Sequence, residues 1–153
     1  MNITTILVIY HSQGGTTKKM AMAAADGARS IEDVRVVFKK ALDADLDDLL
    51  GCDGLVIASP EYFGYMSGAI KDFFDRTYEQ AQGRVFRKPY TILIKAGNDG
   101  AGALRNIERI CIGYQLKKVY EPIVKSGEIT EETLDACREM GQTIAAGCSA
   151  GIY

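Results

Sequence analysis

The sequence is poor in the residues from which metal centres and disulfide frameworks are built. It has one histidine, His11, and four cysteines that are widely spaced and form no Cys-x-x-Cys pair. Zinc sites need several such ligands at short spacing, so we expect no metal site and treat His11 as a loop or packing residue. Disulfide frameworks belong to smaller secreted chains, so we expect reduced, mostly buried thiols at Cys52, Cys111, Cys137 and Cys148.

The chain also lacks a strong charge of either sign and a long apolar run. Its net charge of −2 provides no basic stripe, and we expect no nucleic acid partner. No apolar run approaches the roughly 18 residues that cross a bilayer, so we expect no membrane insertion. The first residues show neither the basic segment nor the cleavage site of a signal peptide, and we expect a cytoplasmic protein.

Strand-like and helix-like segments alternate along the whole chain. Two of the strand-like runs, LVIA and TILI, are apolar at every position, which is typical of parallel strands covered on both faces. Apolar residues spaced by three and four indicate helices over 16–29, 67–82, 101–113 and 130–149, with a weaker helix over 43–50. The predicted strands are 3–10, 34–39, 54–58, 90–95 and 118–124.

This alternation predicts an α/β sandwich of three layers, formed by one domain over residues 1–153. Five parallel strands favour the order 2-1-3-4-5, with helices on both faces. In such a sheet, ligands bind beyond the carboxyl ends of the strands, where the winding direction reverses. The loops 11–17, 59–68 and 96–102 should therefore hold the functional site.

The first loop has the composition of a phosphate-binding turn. Gly14 and Gly15 let backbone N–H groups approach a ligand closely, and hydroxyl side chains stand beside them. No lysine follows the glycines as in nucleoside triphosphate sites, so we expect a phosphate monoester held mainly by neutral dipoles, with Lys18 and Lys19 as the nearby cations. An ordinary turn with a Ser or Thr cap is the alternative. The candidate residues are Ser12, Gln13, Gly14, Gly15, Thr16 and Thr17.

The second loop concentrates aromatic side chains directly after a buried strand. Exposed apolar surface of this size needs a reason, and a flat aromatic ligand would cover it. Ser67 has the position of the N-cap of the next helix. A small satellite core cluster is the alternative to a ligand site. The candidate binding residues are Pro60, Glu61, Tyr62, Phe63, Gly64 and Tyr65.

Two motifs in these loops resemble a known family. The second loop and the helix after it resemble WrbA-type NAD(P)H:quinone oxidoreductases and the broader flavodoxin-like FMN reductases, through Pro60-x-x-Phe63-Gly64-x-Met66-Ser67-Gly68-x-x-Lys71-x-Phe73-x-Asp75-x-Thr77. The first loop is similar to the flavodoxin phosphate loop, with Gly14 in place of a threonine. The resemblance implies a flavodoxin-like fold and non-covalent FMN, with its phosphate on 12–17 and its ring against 60–65.

The third loop is rich in glycine and polar residues and ends at a helix. In the resembled family this loop borders the pyrimidine ring of the flavin, where backbone N–H groups stabilise negative charge on the reduced ring. We expect the Asp99 carboxylate to point away from that charge; a plain turn with a helix cap is the alternative. The candidate binding residues are Ala96, Gly97, Asn98 and Gly100.

The resemblance implies an oxidoreductase that passes electrons from NAD(P)H through FMN to a quinone or similar acceptor, so no catalytic side chain is expected. Arg84, Arg87 and Lys88 are a basic cluster that could meet a phosphate of NADPH, although a solvated surface is the simpler interpretation. The alternatives are a flavodoxin-type electron carrier, against which the small net charge weighs, and a flavin-binding sensor. The partner is then a small-molecule substrate or a redox protein, and the sequence leaves open whether the chain forms a homo-oligomer.

Overall fold

A parallel β-sheet with helices on both faces forms the protein, and the computed structural model describes residues 2–153. The strands are β1 (Thr4–Tyr10), β2 (Val34–Lys40), β3 (Gly54–Tyr62), β4 (Tyr65–Met66), β5 (Pro89–Ala96), β6 (Lys117–Lys118) and β7 (Ile123–Ser126). The helices are α1 (Thr16–Arg29), α2 (Leu46–Gly51), α3 (Gly68–Ala81), α4 (Ala101–Gly113) and α5 (Glu131–Ser149).

The strand order is β2-β1-β3-β5, with β6 and β7 both pairing in parallel with the outer side of β5. This order confirms the predicted arrangement 2-1-3-4-5 and places its reversal between β1 and β3. Among the strands of residues 2–153, only β4 runs antiparallel, against the end of β3.

The buried side chains form two cores, one on each face of the sheet, because successive side chains of a strand point to opposite faces. In β1, Leu7 and Ile9 face α3 and α4, whereas Ile6 and Val8 face α1 and α5. Successive side chains of a strand point to opposite faces, so a strand apolar at every position contributes to both cores. The sheet is therefore covered on both sides, and its exposed backbone loops lie at its two edges.

The helix predictions agree with the structure at nearly every boundary. Ser67 and Thr130 are N-caps, because their hydroxyls accept hydrogen bonds from the N–H groups of Ile70 and Thr133 at 3.3 and 3.2 Å. The weak helix predicted over 43–50 begins instead at Leu46. The reason is the capping box of Asp45, which fixes where that helix starts.

The prediction of one fifth strand over 118–124 is wrong, because two short strands occupy this edge. β6 pairs with the start of β5, and β7 pairs with its end. Between them lies Pro122, which has no N–H to donate to the ladder. Proline within an edge strand interrupts the pairing, and the chain rejoins β5 one residue later.

The third strand extends beyond the predicted end at residue 58. β3 continues to Tyr62 and folds back on itself, so that Glu61 pairs with Met66 and Tyr62 with Tyr65. The two residues at the tip have positive φ values, 54° for Phe63 and 71° for Gly64, which is the backbone of a type I′ hairpin turn. Part of the predicted loop is therefore a rigid hairpin.

The remaining expectations from the sequence concern the cysteines, metal ligands and membrane-spanning helices. Cys52, Cys111 and Cys137 are buried and Cys148 is partly buried, and all four are free. Burial raises the pKa of Cys52 to about 11, so its thiol is protonated at neutral pH. Across residues 2–153, no cluster of three or more potential metal ligands occurs. None of the helices in the described part of the chain combines the length and hydropathy of a membrane-crossing segment.

Helices α1 and α5 approach each other closely enough that only glycine fits at two contacts. A Cβ at Gly27 would overlap the carbonyl oxygen of Arg138, and a Cβ at Gly141 would overlap that of Ala24. Both obstacles are backbone atoms, which cannot rotate away as a side chain would. This contact fixes the direction of α1 and with it the loop that precedes the helix.

Gly27→Ala should lower the free energy of unfolding by about 1–3 kcal/mol, because the added methyl forces the two helices apart. Gly51→Ala is the matched control, since a Cβ there meets nothing within 4 Å. Urea unfolding followed by circular dichroism measures both. Equal stability of Gly27→Ala and the parent protein would show that the helix pair tolerates the wider spacing.

Candidate functional site

The loops after β1, β3 and β5 meet at the carboxyl edge of the sheet and enclose a cleft of about 220 Å³. Ten of the predicted binding residues line it, and they come from all three loops. The lining consists of Ser12, Gln13, Gly14, Thr16, Thr17, Pro60, Glu61, Tyr62, Lys95, Ala96 and Gly97.

Two larger clefts, of about 370 and 380 Å³, lie between α3 and α4 beside Tyr78 and Tyr114. One is formed at the C-terminal ends of these helices, and the other extends along α3 from Lys71 to Glu79. None of the predicted binding residues lines them. The position at the carboxyl edge therefore favours the smaller cleft as the functional site.

The turn before α1 is shaped to receive an anion. Gly15 has a φ of 93°, and its N–H donates to the Ser12 hydroxyl at 2.9 Å. The space where Cβ atoms would stand on Gly14 and Gly15 is open. No side chain caps the N-terminus of α1 and its first turn has no acidic residue, so the positive end of the helix dipole faces the cleft uncompensated. These features fit a phosphate group.

Tyr62 connects the second loop to the first. Burial raises the pKa of its hydroxyl, while the backbone of Gln13 beside it acts in the opposite direction. The edge of the His11 ring packs against the Tyr62 ring at a centroid distance of 6.1 Å. Tyr62 is therefore a neutral phenol that helps to form one wall of the cleft, and His11 supports it.

Glu61 connects the second loop to the third. Its two carboxylate oxygens accept hydrogen bonds from the N–H groups of Gly100 at 3.2 Å and Ala103 at 3.3 Å. A carboxylate at a helix N-terminus is stabilised by the helix dipole, so Glu61 acts as the cap of α4 from a distant strand. Asp99 accepts the N–H of Ala101 at 3.0 Å, and its carboxylate is thus turned toward the helix.

Six predicted residues do not line the cleft. Phe63, at the hairpin tip, is fully exposed, and Tyr65 is 37% exposed. The carbonyl of Asn98 accepts the hydroxyl of Ser126. Their part in binding, together with that of the remaining three, stays a prediction; the remaining three are Gly15, Gly64 and Gly100.

Sequence reasoning missed Lys95, which lines the cleft from the end of β5. Lys18 and Lys19 are the cations expected near the phosphate, but neither lines the cleft, whereas Lys95 of β5 does. A signal was present, since Lys95 is the one charged residue in a strand that is otherwise apolar or neutral.

The basic cluster of Arg84, Arg87 and Lys88 lies at the opposite edge of the sheet. It directly precedes β5, whereas the cleft follows that strand, and eight strand residues span about 25 Å. The Lys88 ammonium donates to the carbonyls of Leu49 and Leu50 at 2.8 and 3.1 Å, at the end of α2. This cluster therefore lies at the far end of β5 from the cleft, which agrees with the interpretation as a solvated surface.

Comparison with known proteins shows the family to which the chain belongs. The family described as NADPH-dependent FMN reductase matches residues 4–119. The chain is 33% identical to a flavodoxin of Aquifex aeolicus over 156 residues, which cover 92% of this chain and 84% of the relative. The chain is 31% identical to an NAD(P)H dehydrogenase (quinone) of Acidithiobacillus ferrooxidans over 121 residues, 65% of this chain and 60% of the relative. It therefore spans about three fifths of that enzyme.

Solved structures support the fold. A flavodoxin, WrbA-like protein from Agrobacterium tumefaciens superposes with a TM-score of 0.78 at 20% identity, over 96% of this chain and 98% of that chain. The resemblance to flavodoxin-like FMN proteins that the two motifs suggested is confirmed.

Glu61→Gln should lower the free energy of unfolding by about 1 kcal/mol and loosen the loop before α4, because a neutral amide is a weaker acceptor at a helix N-terminus. Glu128→Gln is the control, since that exposed carboxylate takes part in none of the ion pairs among residues 2–153. Thermal unfolding and the rate of proteolysis within 97–100 report the two effects. Identical behaviour of both variants would mean that the two hydrogen bonds contribute nothing.

Proposed function

This chain belongs to the NADPH-dependent FMN reductase family, and we propose on that premise that it is an oxidoreductase which passes electrons from NAD(P)H through FMN to a quinone or similar acceptor. The observation that carries the proposal is the meeting of three loops in one cleft, with an uncapped helix N-terminus at one end. The family description and the flavodoxin-like relatives support FMN as the non-covalent cofactor.

The residues of the cleft fit the two ends of FMN. The turn of Gly14 and Gly15 with the hydroxyls of Ser12, Thr16 and Thr17 would hold the phosphate, where N–H groups and a helix dipole converge. The wall of Pro60–Tyr62 and Ala96–Gly97 would receive the isoalloxazine ring. Bound FMN supplies hydride and electron transfer, so the protein needs no acid, base or nucleophile of its own.

The chain's own residues then bind, orient and expose the cofactor. Ser12 holds the turn in shape through its bond with the Gly15 N–H. Glu61 and Tyr62 fix the second loop against the other two. The exposed ring of Phe63 stands at the rim, on the open side that a nicotinamide or an acceptor must approach.

A flavodoxin-type electron carrier is the second candidate. The similarity to the Aquifex aeolicus flavodoxin, which covers 92% of this chain, favours it. Carriers meet their partners through acidic surfaces, whereas this chain has a net charge of −2 and a lysine in the cleft. Two rim carboxylates, those of Glu61 and Asp99, are already bound to backbone N–H groups. The reductase is therefore the better supported proposal.

Anaerobic stopped-flow mixing of the FMN-loaded protein with NADPH, or with NADH, tests the proposed reaction. We expect the flavin absorbance to bleach after mixing and to return when a quinone is added. Reduction by dithionite alone, with no response to either nicotinamide, would favour the carrier. A folded protein that retains no FMN after saturation with the flavin and removal of the excess would overturn both functions.

Thr17→Val should weaken FMN binding by about 1–3 kcal/mol, if the hydroxyl donates to a charged phosphate oxygen. Thr17 lines the cleft and is 3% exposed, so valine of similar shape fills the same space without the hydroxyl. Thr17→Ser, which keeps the hydroxyl, is the control. Quenching of flavin fluorescence gives the dissociation constants, and unchanged affinity in the valine variant would remove Thr17 from the site.

A further inference from the structure

Lys95 has a position that neither the phosphate turn nor the family motifs account for. Leu93 packs in the core beneath α1 and α5. Lys95 follows two residues later and therefore leaves the sheet on the same face, at the edge where α1 begins. Its side chain and Thr16 line both the cleft described above and a neighbouring cleft of about 430 Å³. Lys95 thus lies on the face of the sheet that α1 covers and shares both clefts with Thr16 of the turn before α1.

The ammonium of Lys95 is weakly engaged within the chain. Within the described residues, its one hydrogen bond goes to the carbonyl of Ala96 at 3.3 Å, which is long for an N–H donor. Among residues 2–153, none of the ion pairs includes Lys95. The carboxylate of Glu128 lines the neighbouring cleft without pairing with this lysine. The ammonium of Lys95 therefore has few partners within the chain, and it is available to an anion that enters the cleft beside the uncapped N-terminus of α1.

A second lysine stands beside it and strengthens the local positive field. Lys125 of β7 is the register partner of Lys95, so both side chains leave the sheet on the same face. Lys125 does not line either cleft. Two adjacent like charges repel each other, and an anion near Lys95 would relieve that repulsion.

We propose that Lys95 is a specificity-determining residue which pairs with the terminal phosphate of the flavin and makes the site select FMN over riboflavin. This inference rests on the proposed function and names a residue outside the phosphate turn. Lysine binds phosphate as a point charge, and a charge-assisted bond is stronger than those from neutral hydroxyls. The site would then combine the neutral dipoles of the turn with one mobile cation.

The test compares the binding of FMN and riboflavin to four proteins, namely the parent chain, Lys95→Met, Lys95→Arg and Lys125→Met. Methionine keeps the length of the side chain and removes its charge, and arginine retains the charge. Lys125→Met is matched to Lys95→Met because it removes the same charge from the adjacent strand outside the cleft. Flavin fluorescence quenching at low and high salt gives each dissociation constant, independently of turnover.

We expect Lys95→Met to weaken FMN binding about 10- to 100-fold while riboflavin binding stays the same. Lys95→Arg and Lys125→Met should keep most of the FMN affinity, and the loss in Lys95→Met should shrink at high salt because of screening. An unchanged FMN affinity in Lys95→Met would overturn the inference. Equal weakening of both flavins would also overturn it, since the lysine would then support the loop or the ring.

The outcomes separate this inference from the proposed function. A parent protein that binds neither flavin contradicts both. If the parent chain binds FMN and Lys95→Met binds it equally well, only the role of Lys95 is lost. If Lys95→Met discriminates less between the flavins and the parent protein ignores NADPH, the role of Lys95 stands and the reductase proposal fails.

Discussion

Burial of the sheet on both faces is the constraint from which the location of the site follows. Strands such as β5, apolar at nearly every position, must be covered by helices on each side. The loops that connect strands and helices then lie at either the amino or the carboxyl ends of the strands, and the polar groups of these loops lie there too. Because all the long strands are parallel, the loops after β1, β3 and β5 share the carboxyl edge. The same edge carries the N-terminus of α1, which the contact of Gly27 with α5 holds in a fixed direction.

The three loops are connected to one another by contacts between residues distant in the sequence. Glu61 reaches the start of α4, and the Tyr62 hydroxyl lies beside the backbone of Gln13. Ser59, fully buried at the base of the hairpin, accepts the N–H of Ser67 and so fixes the start of α3 to β3. Because the backbone N–H groups of these loops already have hydrogen-bond partners, the loops are held in place by the fold. Binding of a ligand would therefore require little rearrangement of the loops.

Repeating patterns allowed the fold to be predicted, and the deviations have specific local causes. The helices, their Ser67 and Thr130 caps and the strand order could be derived from periodicity and capping chemistry. The last strand is split at one residue, Pro122, which has no N–H to donate. The effect of that missing donor could be predicted only if the pairing of this segment with β5 were known. The hairpin after β3 needs Phe63 in a left-handed conformation that side chains rarely adopt, and local propensity argues against it. For the cleft, composition indicated the loops. The capping role of Glu61 depends on Gly100 and Ala103, which are 39 and 42 residues away in the sequence, and Lys95 enters the cleft only because the fold brings β5 beside the first turn.

The similarity to both flavodoxins and reductases has a physical explanation, because the part of the site that would hold the cofactor is separate from the rim that would meet a partner. Under the proposed function, the turn before α1 and the walls at 60–62 and 96–97 would hold the flavin, and a carrier and an enzyme would both need these contacts. The two functions differ at the rim, where a carrier uses an acidic field to attract a protein and a reductase needs access for a small nucleotide. Here the rim carboxylates of Glu61 and Asp99 are bound to N–H groups of the α4 N-terminus, which offsets their charge. Lys95 adds a positive charge within the cleft, and this charge supports the proposal of a reductase, because an anionic nucleotide would be attracted to it.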